Sequence, residues 1–401
     1  MLTAAGLRLP LMPRGLRLLS LLFLLALTAA AVQPLVRVAP DLLYLPTDGV
    51  ALSARTGHVL WRYPRLDGAV HTNGRGLLLV SRVTAVYRRL NLRFTRICRL
   101  RASDGHELWC RDEPDLLQWT LDAGGRRWYA HTPGRLQVFA TGDGRQQRSF
   151  HLRQGDGLTL LPLPAGGALL LASGPKHSQA LVYRAGATAL AGYTLPGRVY
   201  AFHGGGQGLL LYAPPAGAFF LADPAPVRLP QSEPRFPRAS LNRHGFVLTG
   251  WRGARPIVRG GTYGGSMWRA PRPAGDAELA VGAGTALLLL RGGVAPGLLR
   301  GWDLASGAPR FSRHFPGRGP LLACQGEDLV VTSSAGVWLL DADTGAVRWH
   351  ARLRADALAA MAASAIVVWD EQGRLVGLDR GSGAPRWRVR FREAGQSAPL
   401  P

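Results

Sequence analysis

Apolar and polar positions along this chain follow one recurring phrase. "LLDADTGAVRW" (339–349) is a short apolar stretch, a polar Asp-Thr-Gly turn, and then alternation that ends on tryptophan. Val337, Leu339 and Asp341 alternate with Trp338, Leu340 and Ala342, apolar on both faces as in a strand covered on both sides. Asp343, Thr344 and Gly345 form the turn, where the glycine takes the positive φ a tight hairpin needs. Val347 and Trp349 resume the alternation on a second strand. Relatives of the phrase stand at 50–61, 97–109 and 375–387, with a looser one at 300–311. Tryptophan falls four residues after the turn glycine in four copies: Gly57 and Trp61, Gly105 and Trp109, Gly345 and Trp349, Gly383 and Trp387. Gly307 and Phe311 keep the spacing with a smaller ring, and Gly264 and Trp268 keep it with a degenerate turn. A large ring at one fixed point of every hairpin predicts packing between neighbouring sheets rather than a ligand platform.

The turn glycines at 57, 105, 144, 264, 307, 345 and 383 recur at a period of about 40 residues. One gap is three periods long, and worn copies at 181–193 ("LVYRAGATALAGY") and 219–229 ("FFLADPAPVRL") fill it. Short strands at this period, with no amphipathic helical stretch after residue 35, predict an all-β propeller of four-stranded blades. Nine turn signals exceed the usual upper size of a propeller, and residues 35–62 leave room for about three strands. Eight blades are therefore expected, with seven and nine as the alternatives. The propeller spans 35–393, followed by a C-terminal tail at 394–401.

With Asp or Ser before the turn, Thr/Ser-Gly or Asp-Gly in it and Trp four residues on, the phrase resembles the PQQ-like (quinoprotein) repeat. The resemblance covers nearly all of 41–391, strongly in the first two and last three copies and weakly from 125 to 270. It implies one of two function classes. One is a non-catalytic extracytoplasmic propeller that binds protein partners, of the kind of the outer-membrane assembly lipoprotein BamB. The other is a PQQ-dependent dehydrogenase with a degenerate site. Such dehydrogenases bind PQQ at the centre, usually with calcium and a catalytic Asp, and many carry a disulfide between adjacent cysteines. This chain has no adjacent cysteine pair, and Asp303, Asp341 and Asp379 belong to the turn phrase. The expectation is therefore a protein-binding scaffold with no catalytic residue, cofactor or metal.

Residues 1–32 place arginines 8, 14 and 17 ahead of an apolar run, "LLSLLFLLALTAAAV", with small residues at 29–31. This is the pattern of a secretory signal peptide, and an uncleaved membrane anchor is the alternative. Both put the propeller outside the cytoplasm. No cysteine follows the run, so the lipid anchor of the BamB-type proteins has no attachment point.

The formal net charge is +23, and all but one (Lys176) of the 48 basic residues are arginine. Such a field favours anionic partners, but the arginines are scattered through the repeats, which argues against a nucleic-acid groove. The densest cluster, "RVTAVYRRLNLRFTR" at 82–96, makes Arg88, Arg89, Arg93 and Arg96 the candidate partner-binding residues. Cys98 and Cys110 flank a hairpin turn and face each other in antiparallel register, so they are either bridged or two buried thiols. "HGGGQG" at 203–208 precedes a strand rather than a helix, and so is a connector rather than a phosphate loop.

Overall fold

The computed structural model describes residues 35–391, apart from 65–68, 88–91, 123, 153–157, 164–165, 204–208, 214–216, 222–225, 230–237, 243, 253–254, 263–266, 273–274, 292–295 and 319–320. The N-terminal segment 1–34, the turn at Gly264 and the tail 394–401 lie outside the described residues. The described residues contain no helix and form nine four-stranded antiparallel sheets, each with its strands in sequence order. In chain order the sheets, blades 1 to 9, span Val36–Arg62, Val70–Pro114, Gln118–His151, Leu158–Pro196, Tyr200–Leu229, Ala239–Pro271, Asp276–Phe315, Leu321–Ala351 and Ala355–Val389.

Nine sheets match the nine turn signals one for one. The expected total of eight rested on residues 35–62 being too short for a blade, and that count is corrected here. Strands of four residues, Val36–Ala39, Leu42–Leu45, Val50–Ser53 and Val59–Arg62, fit a complete sheet into this stretch. Both worn copies also fall where the period puts them. Residues 181–193 span the last hairpin of blade 4, and 219–229 lie on the last two strands of blade 5.

The first strands of consecutive sheets touch one another, as in blades 1 and 2, 2 and 3, 6 and 7, and 8 and 9, so they form the innermost layer. Blade 9 touches blade 1 in the same way, which closes the ring. The core is divided accordingly into clusters lying between blades. Leu43, Val50 and Leu52 of blade 1, for example, pack with Val367, Leu375 and Trp387 of blade 9.

Where a tryptophan follows the turn, it is placed in this inter-blade contact. Trp61, Trp349 and Trp387 are buried, and each donates its indole N–H to a carbonyl three residues before the next blade's turn glycine. Trp61 donates to Ala102 at 2.8 Å, Trp109 to Thr141 at 3.0 Å and Trp268 to Leu304 at 2.8 Å. Trp349 donates to Arg380 at 2.8 Å, and Trp387 to Ala54 at 2.9 Å. The same rings lie on the turn glycines they approach. A Cβ at Gly105 would come within 2.5 Å of Trp61, at Gly383 within 2.6 Å of Trp349 and at Gly57 within 2.6 Å of Trp387. These glycines sit at φ of 71 to 74°, so both backbone and space demand glycine. Trp387 on Gly57 is the ring closure itself, made by the same contact as the other joints and without a strand shared between first and last blades.

Trp349→Ala is expected to cost about 3–5 kcal/mol, as for a large buried aromatic. Trp349→Phe, which keeps the ring and loses the N–H, is expected to cost about 1–2 kcal/mol. Gly345→Val is expected to destabilise strongly, since it adds a clash with the Phe311 ring to an unfavourable φ. Chemical denaturation of the three variants tests this ranking, and equal midpoints for Trp349→Ala and the parent would remove the packing role.

Candidate protein-interaction surface

The repeat residues are used up in packing. Asp341 Oδ1 accepts from the Thr344 backbone N–H at 2.9 Å and its hydroxyl at 2.9 Å, while Arg348 binds Oδ2 at 2.8 Å. Asp303 accepts from Ser306 N–H at 2.8 Å and from Arg310 at 2.7 Å, and Asp379 accepts from Ser382 N–H at 2.7 Å and contacts Arg386. An arginine three residues after the turn glycine therefore clamps the aspartate that opens the turn. That pairing was readable in the last three copies but went unnoticed in the sequence. The Arg348 side chain, followed by the Thr344 N–H, holds Asp341 down at about 2. The Ser306 N–H and hydroxyl, followed by Arg310, hold Asp303 at about 2.

Blade 2 departs from the others. Its second strand runs Leu77–Tyr87 and its third Leu92–Arg101, longer than the corresponding strands elsewhere, so a β-arm extends beyond the first strand Val70–Thr72. Several contacts fix the base of this arm. Cys98 and Cys110 are directly paired across the third and fourth strands, 4.1 Å apart at Cα, and are joined by a disulfide. Arg99 donates to the blade 3 carbonyls of Thr141 at 3.2 Å and Gly142 at 3.0 Å, and Arg111 lies 4.6 Å over the Phe139 ring. On the other side the Tyr63 hydroxyl of the preceding linker donates to Glu107 at 2.6 Å. At the first strand, Ser81 donates its N–H to the Ala69 carbonyl at 3.0 Å and accepts from Trp119 Nε1 of blade 3 at 3.2 Å.

Of the four arginines singled out by sequence, Arg88 and Arg89 lie outside the described residues. Arg93 stands on the third strand, paired in register with Val86. Arg96 makes a two-pronged ion pair with Asp112 at 2.8 and 2.7 Å on an exposed face. Arg82, not among the four, is directly opposite Arg96, and its Nε is buried with no hydrogen-bond partner. Arg96 first, and Arg82 at longer range, hold Asp112 below the ordinary carboxylate range, against the opposing effect of burial. Three adjacent strands thus carry the row Asp112, Arg96, Arg82. The signal for Arg82 was present in the sequence, fourteen residues before Arg96 across the hairpin, but the register was needed to see it.

Near the centre, His71 on the first strand of blade 2 stands edge-on to Trp119 at 4.3 Å, and burial pushes its pKa down to about 4. Cys98, Glu107 and Cys110 come together as a three-residue group, but the two sulfurs are spent on the disulfide.

The class of protein follows from this geometry: the chain is a β-propeller, with tryptophan on glycine at five of its blade joints. Residues 260–401 match the family model described as outer membrane protein assembly factor BamB, so the C-terminal third carries that family's sequence pattern. No curated protein matches the chain in sequence. Among solved structures, a eukaryotic initiation factor aligns with a TM-score of 0.57 at 10% identity, over 80% of this chain and 88% of that one. The dihydro-heme d1 dehydrogenase NirN in complex with DHE aligns with a TM-score of 0.51 at 14% identity, over 90% of this chain and 76% of that one. At these identities the likeness is one of fold alone.

Replacing Cys98 and Cys110 with Ala is expected to cost about 2–3 kcal/mol under oxidising conditions, the chain-entropy value for so short a loop. Reductant should bring the parent to the same melting temperature. The pH dependence has a definite sign. His71 prefers its neutral form in the fold, so stability is full above pH 6.5 and falls as pH drops toward 4, by about 3 kcal/mol. Asp303 and Asp341 have lowered values, so their contribution is present above pH 3.8 and is lost toward pH 2. His71→Leu should shrink the loss between pH 6.5 and 4 and leave the lower stage unchanged.

Proposed function

We propose that this protein is a non-catalytic extracytoplasmic propeller that holds protein partners during assembly of the cell envelope. The observation that carries the reading is the blade 2 arm, which extends beyond its own sheet and is bound to blade 3 and to the linker before it. A site for contact with another macromolecule needs such a projecting, prearranged element more than it needs a cavity. The match of residues 260–401 to the BamB description supports the same reading. The apolar N-terminal run with its arginines supports delivery across a membrane. The dehydrogenase alternative requires carboxylates free to bind calcium and to act as a base. Asp303, Asp341 and Asp379 are instead committed to turn N–H groups and arginine clamps at the ends of hairpins.

Two measurements test this, the first in an envelope fraction and the second on the purified chain. A photo-crosslinking residue in place of Tyr87 on the arm is expected to give one discrete adduct with an envelope protein. Titration with PQQ and calcium is expected to leave the absorption spectrum free of a saturable change. Saturable PQQ binding together with dye-linked alcohol oxidation would overturn the scaffold reading.

A further inference from the structure

We propose that the groove between blades 6 and 7 takes a partner protein's segment in which a pair of apolar side chains is followed directly by a carboxylate. The inference rests on the scaffold reading above for the occupant being a protein. It names a surface separate from the arm, together with the partner's chemistry. The groove has a volume of about 470 Å³. Ala270 and Pro271, at the end of the fourth strand Trp268–Pro271 of blade 6, form one wall. Arg300 and Trp302, on the third strand Gly297–Asp303 of blade 7, form the other, joined by Pro309 and Ser312 of its fourth strand. The joint itself is of the usual kind, with Trp268 on Gly307.

Register explains the groove. Arg300 pairs with Ser312, one step beyond the pair of Gly301 with the ring residue Phe311. At the same step blades 1, 2, 8 and 9 have Val50, Cys98, Trp338 and Val376. All four are buried, each in a cluster shared with the preceding blade. Blades 3 and 6 have Gln137 and Arg259 there, but Gln137 donates to Gln146 at 3.2 Å and Arg259 is buried. The facing residue differs as well. Two residues after the ring tryptophan, blade 1 has the buried Tyr63 and blade 9 has Val389, packed on its core cluster, where blade 6 has only Ala270. A methyl group on one side and a guanidinium on the other leave the space between these blades unfilled.

The groove also lacks a counter-charge. In blade 7, Arg291 pairs with Glu278 and Arg310 with Asp303. Arg300 has no hydrogen bond or ion pair among the described residues, and no carboxylate lines the groove. An occupant must therefore bring apolar surface for Ala270, Trp302 and the prolines, and an anion for Arg300. Pro271 and Pro309 have no N–H to offer an added strand, so recognition runs through side chains. Pro271, Pro309 and Ser312 are exposed, so a fatty acid would leave much of its chain in water there, whereas a polypeptide continues with polar residues. The positive field of the whole chain favours the approach of an acidic segment.

The probe is a fluorescein-labelled octapeptide, Gly-Ser-Leu-Leu-Asp-Ser-Gly-Ser, titrated by anisotropy into the full chain. Saturable binding with Kd of about 10–100 µM is expected, weakening as salt rises. Counterparts with Asn for Asp, or with Ser for both Leu, should bind about tenfold more weakly or worse. Two variants copy residues that other blades use at the same positions, so their melting temperatures should not fall below the parent's. Ala270→Tyr, after blade 1, fills the groove and should remove binding. Arg300→Val, after blades 1 and 9, should remove the preference for Asp over Asn. Lack of saturation by the Leu-Leu-Asp peptide would overturn the proposal. Unchanged affinity in Ala270→Tyr would also overturn it, since the peptide would then sit elsewhere. So would equal affinity of the parent for the Asp and Asn peptides. Decanoate displacing the labelled peptide at lower concentration than the unlabelled peptide does would overturn the protein assignment in favour of a fatty acid. Should either variant unfold, the three peptides on the parent still decide. Failure of the peptide beside an intact Tyr87 crosslink sinks this inference and leaves the scaffold reading standing. Loss of the crosslink with peptide binding retained does the reverse for the arm.

Discussion

Everything in this molecule depends on a flat indole lying on a residue with no side chain. A tryptophan at the end of one hairpin can reach the backbone of the next blade only if the turn there leaves the space empty. Glycine leaves that space and also takes the φ of about +70° that turns the chain. The ring excludes water from the joint, and its N–H satisfies a carbonyl that the turn would otherwise leave buried and unpaired. One sequence spacing thus performs three tasks: it turns the hairpin, seats the neighbour and sets the angle between blades. Because Trp387 makes the contact with Gly57 and Ala54, the ring closes by repetition. Two further hydrogen bonds at this joint, from the Ser364 hydroxyl to Asp41 at 2.6 Å and from the Ala363 N–H to the Pro40 carbonyl at 2.7 Å, reinforce the closure without creating it.

The joint between blades 7 and 8 shows what happens when the rule is relaxed. Phe311 lies on Gly345 as the tryptophans do elsewhere, but it has no N–H to offer. Polar contacts occupy its place. Thr285 Oγ1 donates to Asp343 at 2.6 Å, Gly284 N–H donates to the same oxygen at 3.2 Å, and Arg310 approaches it at 3.4 Å. Between blades 8 and 9 a related group forms beside the tryptophan: Arg348 at 2.7 Å and Arg380 both converge on Asp328, which is buried. The heavy use of arginine in this chain therefore has a structural side. A guanidinium can bind two carboxylates in different blades at once, which a lysine cannot match in geometry.

The fold was legible in the sequence because its determinants are local. Glycine, the turn aspartate and the ring lie within ten residues of one another, so their physics is written out in each copy that keeps the phrase. The worn copies at 181–193 and 219–229 were found by period alone and proved to be hairpins of the expected kind. Blade 1 was misjudged because a four-residue strand carries too little pattern to be counted. The surface was less legible. Arg88, Arg89, Arg93 and Arg96 were chosen by density, yet Arg96 is committed to Asp112, and the mismatched member, Arg82, was passed over. Charge density is visible along a chain, whereas an unbalanced row across three strands depends on register, and register is a property of the fold.

That contrast explains where new function can arise in such an architecture. A blade cannot change its turn glycine or its ring without loosening a joint, so the physics of the repeat favours variation in what lies outside it. Lengthening the hairpin between the second and third strands adds residues that no neighbour has to accommodate, and the ring persists unchanged beneath them. The cost is like charges brought face to face, as Arg82 and Arg96 are across the hairpin. In blade 2 this cost is contained at the base, where the Cys98–Cys110 bridge, the Arg99 bonds to blade 3 and the Tyr63–Glu107 bond fix the arm to its surroundings. Fixing the base in this way lowers the conformational entropy that the arm would lose when something docks on it. A rigid ring and a held arm are therefore one design: the first makes the second's direction definite.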